Sequence, residues 1–118
     1  SLGCREDFFP SNQGQEMTTR FHVLDRSTDL YKECKTLRLE SFIRSQLLRA
    51  MSSVALNLAE GNYRNSPKDK LRFFNYALTS MKEVKAVLEL EDIAKLKQEA
   101  DEITPMLFAL NRKLSLTR

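Results

Sequence analysis

The sequence predicts an all-α fold, specifically an antiparallel up-down-up-down four-helix bundle, on three observations. Apolar residues make up 42% and charged residues 30% of the 118 residues, a balance typical of one compact helical domain. Glycine and proline number only three each, so few residues interrupt helices. Apolar side chains recur at steps of three and four residues in four successive segments, and none shows the alternation of a β-strand.

The first predicted helix follows a segment that has no helical periodicity. We expect residues 1–18 to form a tail, either poorly structured or docked on a neighbouring subunit, and residues 19–118 to form the bundle. Helix one is predicted over 19–36 because an apolar stripe follows its length. The stripe consists of Val23, Ser27, Leu30, Cys34 and Leu37.

Helix two is predicted over 41–60, with its end at Gly61. Two neighbouring apolar stripes follow it, one of Ile43, Leu47, Ala50, Val54 and Leu58 and one of Leu48, Met51 and Ala55. Glycine readily adopts the left-handed conformation that commonly terminates a helix. Gly61 is therefore predicted to be the C-cap residue, with Asn62 close behind it.

Helix three, predicted over 67–90, has the clearest start signal in the chain. Ser66 is the predicted N-cap, Pro67 takes the first helical position, and Asp69 completes an acidic variant of the capping box. Its apolar residues form two stripes: Leu71, Phe74, Leu78, Met81 and Leu88, and Phe73, Ala77, Val84 and Val87. This arc is wider than one bundle core needs, so either the helix is unusually buried or its second face meets another subunit.

Helix four, predicted over 93–115, carries a regular seam typical of near-parallel helix packing. The seam consists of Ile93, Leu96, Ala100, Ile103, Leu107, Leu110 and Leu114. Asp92 is the predicted N-cap, and the alternative is one long helix that continues from helix three. Pro105 cannot donate a hydrogen bond to the carbonyl of Asp101, so we expect a kink there.

The residue types that catalysis or metal binding requires do not occur in suitable combinations. His22 is the only histidine, and Cys4 and Cys34 are too far apart to form a metal-binding pair. Ser52 and Ser53 have no partner base, and no glycine-rich phosphate loop is present. We therefore expect no enzyme, no metal and no cofactor. Cys34 is predicted to be a small apolar helix residue rather than a reactive thiol.

Hydropathy and cysteine content indicate the cellular compartment in which the protein resides. No apolar run approaches the roughly 18 residues of a membrane span. The first twenty residues contain no apolar signal-peptide region. Two cysteines make no disulfide framework, as is usual in a reducing compartment. We expect a cytoplasmic protein that contacts no membrane.

Charge is distributed unevenly along the chain. Residues 38–85 hold nine basic and four acidic side chains, a net of +5, whereas residues 89–102 hold two basic and six acidic ones, a net of −4. The basic middle could attract a polyanion, or its charges could simply solvate helix faces. Arginine and lysine at a helix–loop edge are suited to phosphate contact. The candidate contacts are Arg49, Arg64, Lys68, Lys70 and Arg72.

A line of polar residues runs along helix two. Arg49, Ser53, Asn57 and Glu60 are separated by four, four and three residues, so they share one helix face. The face could be an ordinary exposed one. Alternatively, its small and polar residues could let another helix approach closely and form hydrogen bonds with it.

Residues 45–90 resemble the family of four-helix bundle proteins encoded in 23S ribosomal RNA intervening sequences. The similarity extends more weakly over 20–44 and 91–114. The central motif consists of Gln46, Arg49, Ser53, Asn57, Ala59, Glu60, Gly61, Arg64 and Ser66. Its continuation on the next helix consists of Phe73, Ala77, Ser80 and Glu83.

The resemblance implies self-association, since relatives form pentameric rings. A related branch, the accessory variability determinant of diversity-generating retroelements, binds nucleic acid and a reverse transcriptase on a basic surface. The surplus apolar positions of helices two and three provide a candidate oligomer interface. These positions are Leu48, Met51, Ala55, Phe73, Ala77 and Val84.

We therefore expect a non-enzymatic homo-oligomer that binds RNA as an accessory subunit of a ribonucleoprotein. The alternative is a protein-interaction scaffold whose apolar second faces assemble a ring and which binds no nucleic acid.

Overall fold

The computed structural model describes residues 11–117, and it describes side chains over residues 21–116. Within that part of the chain the structure is helical, without a β-strand. The helices are α1 Ser11–Lys35, α2 Ser41–Tyr63, α3 Pro67–Leu90 and α4 Ala94–Thr117. The predicted all-α fold is confirmed, and the arrangement is compatible with a four-helix bundle. No helix in this part of the chain is both long and apolar enough to cross a bilayer.

Each helix packs against two others, and the contacts close a cycle in the order α1, α2, α3, α4. On the α2–α3 pair, Ser53 contacts Ser80, and Gly61 lies against Phe74, so residue numbers rise along α2 as they fall along α3. The antiparallel order of all four helices stays a prediction. Pro105 lies inside α4, and the bend there stays a prediction too.

The core is built from the predicted apolar stripes. Its largest fully buried side chains are Phe74, Leu30, Leu47, Met51, Leu58, Met81, Leu88, Ile103, Leu107, Val23, Val54 and Val84. Each such side chain stabilises the fold by roughly 1.5–3 kcal/mol relative to an exposed one. In the second stripe of α3, Ala77, Val84 and Val87 are buried as well. Burial within the chain's own bundle therefore accounts for most of the wide apolar arc of α3.

The start of α1 differs from the predicted one. The helix begins at Ser11, so it includes residues 11–18, which the sequence assigns to the tail. Residues 1–10 lie outside the described part of the chain, and the prediction of a loose or docked tail is untested there.

The prediction that Gly61 caps α2 is wrong. The helix continues through Gly61 to Tyr63 and ends at Arg64, whose φ is −76°. No described glycine has a positive φ. A Cβ atom at Gly61 would lie 2.5 Å from Cε1 of Phe74. Glycine is needed here because α3 places a buried ring directly against the backbone of α2.

The predicted start of α3 agrees with the structure. The backbone N–H of Asp69 donates a hydrogen bond to Oγ of Ser66 over 3.1 Å, and Pro67 opens the helix. The cap satisfies one of the backbone donors that the first turn leaves without a helical partner.

Asp92 terminates α3 instead of capping α4. Its φ is +57°, the left-handed conformation. The backbone N–H groups of Asp92 and Ile93 donate to the carbonyls of Glu89 and Leu88 over 3.1 Å and 2.9 Å, which is the Schellman pattern. The N-cap prediction is therefore wrong. Aspartate can take this place because it adopts the left-handed conformation more readily than most non-glycine residues.

Candidate nucleic-acid interface

Four of the five predicted phosphate contacts lie at one end of the bundle, around the turn from α2 to α3. Only three residues separate these helices. The turn thereby brings together Arg64, Lys68, Lys70 and Arg72, which we call the turn cluster. Arg49 does not belong to it, because a separation of 15 residues along α2 corresponds to roughly 22 Å. The Arg49 guanidinium instead donates to Oε1 of Gln46 over 2.8 Å.

Two arginines of the turn cluster lie over the ring of Phe73. The Cζ atoms of Arg64 and Arg72 are 4.7 Å and 4.9 Å from its centroid. Each such contact is worth about 0.5–1 kcal/mol at an exposed site. Nη2 of Arg64 also lies 2.7 Å from Oε2 of Glu60, one helical turn earlier. These contacts hold both guanidinium groups at the surface between α2 and α3.

Lys70 faces the end of α2 rather than open solvent. Its Nζ donates hydrogen bonds of 3.3 Å to the carbonyl oxygens of Gly61 and Asn62. The carbonyl of Gly61 also accepts a hydrogen bond from the backbone N–H of Arg64. A cation at this position adds hydrogen bonds to the last carbonyls of α2 and opposes the negative end of the helix dipole. The ammonium of Lys70 is therefore engaged in a structural role. Lys68 and Arg72 are exposed, which leaves them better placed for phosphate contact.

The structure adds one aromatic residue, Tyr76, to the surroundings of the turn cluster. Tyr76 lies one helical turn beyond Phe73, with ring centroids 5.9 Å apart and an interplanar angle of 89°. Its side chain is 50% exposed. The spacing of Phe73 and Tyr76 could have suggested their contact. That Arg64 lies over the ring of Phe73 depends on how α2 packs against α3.

The polar residues of α2 form hydrogen bonds within the chain. Oγ of Ser53 lies 2.8 Å from Oγ of Ser80 on α3. Nδ2 of Asn57 donates to the carbonyl oxygen of Ser53 over 2.8 Å and to its Oγ over 3.0 Å. The sequence left open whether this polar face is simply exposed or whether another helix approaches it closely and hydrogen-bonds to it. In the structure another helix does so, and that helix is α3 of the same chain. Ser53 and Asn57 thus serve the α2–α3 pairing.

Half of the residues of the predicted oligomer interface lie in the chain's own core, and the interface itself stays a prediction. Met51, Ala77 and Val84 have no exposed surface, because they pack in the chain's own core. Leu48, Ala55 and Phe73 remain half-buried and could still contact another subunit.

A second apolar surface, missed by the sequence analysis, lies on the outer side of α2. Phe42, Leu56 and Tyr63 are 65%, 68% and 83% exposed. Together with Arg49 they are spaced seven residues apart, so they lie on one helix face. We call these four residues the α2 outer stripe. Its regular spacing could have been read from the sequence, but its exposure could not.

Cys34 and the acidic side chains are the other groups whose chemistry the structure describes. Within residues 21–116, no three histidine, cysteine, aspartate or glutamate side chains come together to hold a metal ion. Cys34 is buried in the core, as predicted. Burial, followed by the charges of Glu33 and Glu99, raises the pKa of its thiol to about 11. The thiol is therefore protonated, and unreactive, at neutral pH.

Two carboxyl groups meet between α1 and α4. A hydrogen bond with Glu33 raises the pKa of Glu99, with burial and the Glu33 charge adding to the rise. Lys95 and Arg26 oppose it. By contrast, a hydrogen bond from Lys85 holds the pKa of exposed Asp101 below its usual value. The folded structure thus disfavours the negative charge on the carboxyl group of Glu99.

A family model described as 23S rRNA-intervening sequence protein matches residues 20–109. The match contains all of α2 and α3, the turn cluster and most of the other two helices. No curated protein and no solved structure matches the chain.

Proposed function

The chain belongs to the 23S rRNA-intervening sequence protein family, and on that premise we propose that it is a non-enzymatic, homo-oligomeric RNA-binding subunit of a ribonucleoprotein. The observation that carries the proposal is the turn cluster. It places four cationic side chains at one end of the bundle, and two of them are held against an aromatic ring. Such positioned cations suit a phosphate backbone.

The charge balance around the turn supports this proposal. Residues 60–72 hold four basic and two acidic side chains, a net of +2. One acidic partner, Glu60, already neutralises Arg64 in part. A net of +2 is modest for one chain, but an oligomer would present several copies to one RNA molecule. Linked sites raise the overall affinity without any new contact.

Lys68 and Arg72 are the residues on which the proposal depends most. They are exposed and one helical turn apart on α3. Residues at this spacing have Cβ atoms roughly 5–6 Å apart. The two cations can therefore approach neighbouring phosphates of one strand.

The experiment replaces Lys68 and Arg72 together with alanine and measures binding to a structured RNA hairpin over a range of salt concentrations. The parent should bind more weakly as salt rises, with each phosphate contact contributing about 0.7–0.9 to the log–log slope. The double variant should bind more weakly than the parent and show a flatter slope. The matched control is Lys82→Ala with Arg38→Ala, which removes the same charge from exposed sites away from the turn.

The comparison with the control decides the proposal. Exposed substitutions usually change stability by under about 0.5 kcal/mol, so both double variants should stay folded. If both lose affinity equally, only net charge matters and the turn cluster is not the site. If the parent binds no RNA even at low salt, RNA binding is ruled out.

A second function, a protein-interaction scaffold, is favoured by the α2 outer stripe. Three large apolar side chains at heptad spacing on one helix face suit contact with another helix. A second copy of the chain could cover them. Sedimentation at micromolar concentration should then report several subunits, and Leu56→Glu should shift the protein towards monomers. A monomeric parent would contradict both the scaffold and the homo-oligomer.

A further inference from the structure

We infer that the turn cluster binds single-stranded RNA, with an unpaired base stacked on Tyr76 and the neighbouring arginines on the phosphates. This inference rests on the proposed RNA-binding function and adds the class of ligand to it. It starts from Tyr76, a half-exposed aromatic residue whose ring contacts Phe73, the ring that two arginines of the turn cluster cover.

The ring of Tyr76 is held in a defined orientation. It meets Phe73 edge to face, with an interplanar angle of 89° and a centroid distance of 5.9 Å. Edge-to-face pairs at such distances are favourable beyond the area they bury. Half of the Tyr76 side chain nevertheless reaches solvent. A pre-positioned and partly exposed ring is what a base needs for stacking, since little side-chain freedom remains to be lost.

Phe73 supports the site but is not its stacking surface. Two guanidinium groups within 5 Å of its centroid, those of Arg64 and Arg72, already lie over the ring. They bring planar cations next to Tyr76, and such planes bind phosphates through their edges or stack on bases through their faces. Cation and aromatic ring therefore lie side by side, as in proteins that bind single strands.

The arrangement favours single strands over duplexes. In a duplex the bases are already stacked on one another, and the wide, shallow minor groove mainly displays hydroxyl groups and base edges. A duplex could thus use the cations of the turn cluster but not the ring of Tyr76. A flexible strand can use both, because its bases can turn outwards.

The experiment compares three variants on two RNA probes at one low salt concentration. The probes are a fluorescein-labelled strand of twelve uridines and a fully paired duplex of twelve base pairs. Tyr76→Ala should weaken binding of the strand about 5- to 150-fold, the range found for loss of one stacked base. It should leave duplex binding and the salt slope unchanged. Tyr76→Phe should restore the affinity, and the matched control Phe108→Ala, with 48% exposure on α4, should resemble the parent.

Intrinsic fluorescence gives a readout that phosphate contacts alone would not change. The chain has three tyrosines and no tryptophan, so its emission comes from tyrosine. Uridine binding should quench part of the parent's emission, and this part should be missing in Tyr76→Phe although the affinity is retained.

The outcomes distinguish a failure of base stacking on Tyr76 from a failure of RNA binding itself. If Tyr76→Ala binds the strand as the parent does, while the Lys68→Ala, Arg72→Ala double variant binds weakly, stacking is wrong and RNA binding stands. If Tyr76→Ala weakens strand and duplex equally, the ring acts through the fold and the inference fails. If the parent binds neither probe nor the hairpin, the proposed function itself fails.

Discussion

Replacement of Gly61 by alanine tests whether the close approach of α2 and α3 controls the stability of this bundle. The added Cβ would lie 2.5 Å from Cε1 and 2.8 Å from Cδ1 of Phe74. Carbon atoms pack favourably at about 3.5–4.0 Å. The ring would thus have to move by about 1 Å, and Phe74 is fully buried among core side chains.

Two opposing effects set the expected magnitude. Overpacking of a core costs typically about 1–3 kcal/mol. Replacing glycine within a helix gains about 0.8–1.0 kcal/mol, because alanine has the higher helix propensity. We expect the clash to exceed the gain, because Phe74 is fully buried and has little room to move, with a net loss of up to about 2 kcal/mol. The exposed helical control Ser45→Ala should instead gain a few tenths of a kcal/mol, about the difference in propensity.

The assay is urea unfolding followed by circular dichroism at one protein concentration, because self-association would make stability depend on concentration. Phe74→Leu is measured alone and together with Gly61→Ala. If the clash is the cause, the smaller side chain relieves it, and the two changes should couple by about 1 kcal/mol or more.

Two results would refute this reasoning. A Gly61→Ala protein at least as stable as the parent would mean that the ring shifts at little cost. A loss that simply adds to that of Phe74→Leu would mean that Gly61 is needed for its backbone conformation, as in a left-handed cap, and not for space.

Two further predictions concern Asp92, which ends α3, and Glu99, which lies on α4. Asp92→Gly should raise the free energy of unfolding by about 0.5–1 kcal/mol, since a left-handed conformation costs a non-glycine residue roughly 1–2 kcal/mol. The same urea assay measures this change, and a lower free energy of unfolding would contradict the prediction. Glu99→Gln should raise the urea midpoint at neutral pH. The raised pKa of Glu99 makes its protonated form favourable to folding, so its contribution is fully present below the ordinary value of 4.5 and is lost as pH rises through the folded-state pKa. The gain should therefore shrink below pH 4.5, whereas Glu83→Gln, an exposed control, should show no such trend.

The sequence by itself determined the all-α fold and most helix boundaries. Apolar periodicity and caps depend on residues three or four positions apart, so they can be read without knowing which helices meet. The Ser66 cap shows this, because its partner Asp69 is three residues away. The basic residues near the turn were predicted for the same reason, since a three-residue link keeps neighbours in sequence close in space.

Only the tertiary structure decided what several of these residues do. Gly61 was predicted to be a cap, and it serves instead to admit Phe74. Met51, Ala77 and Val84 were assigned to a subunit interface, and the bundle buries them in its own core. Each outcome depends on which face of one helix meets which face of another. Local periodicity leaves this open, because an apolar stripe is the same whether a helix of its own chain or another subunit covers it.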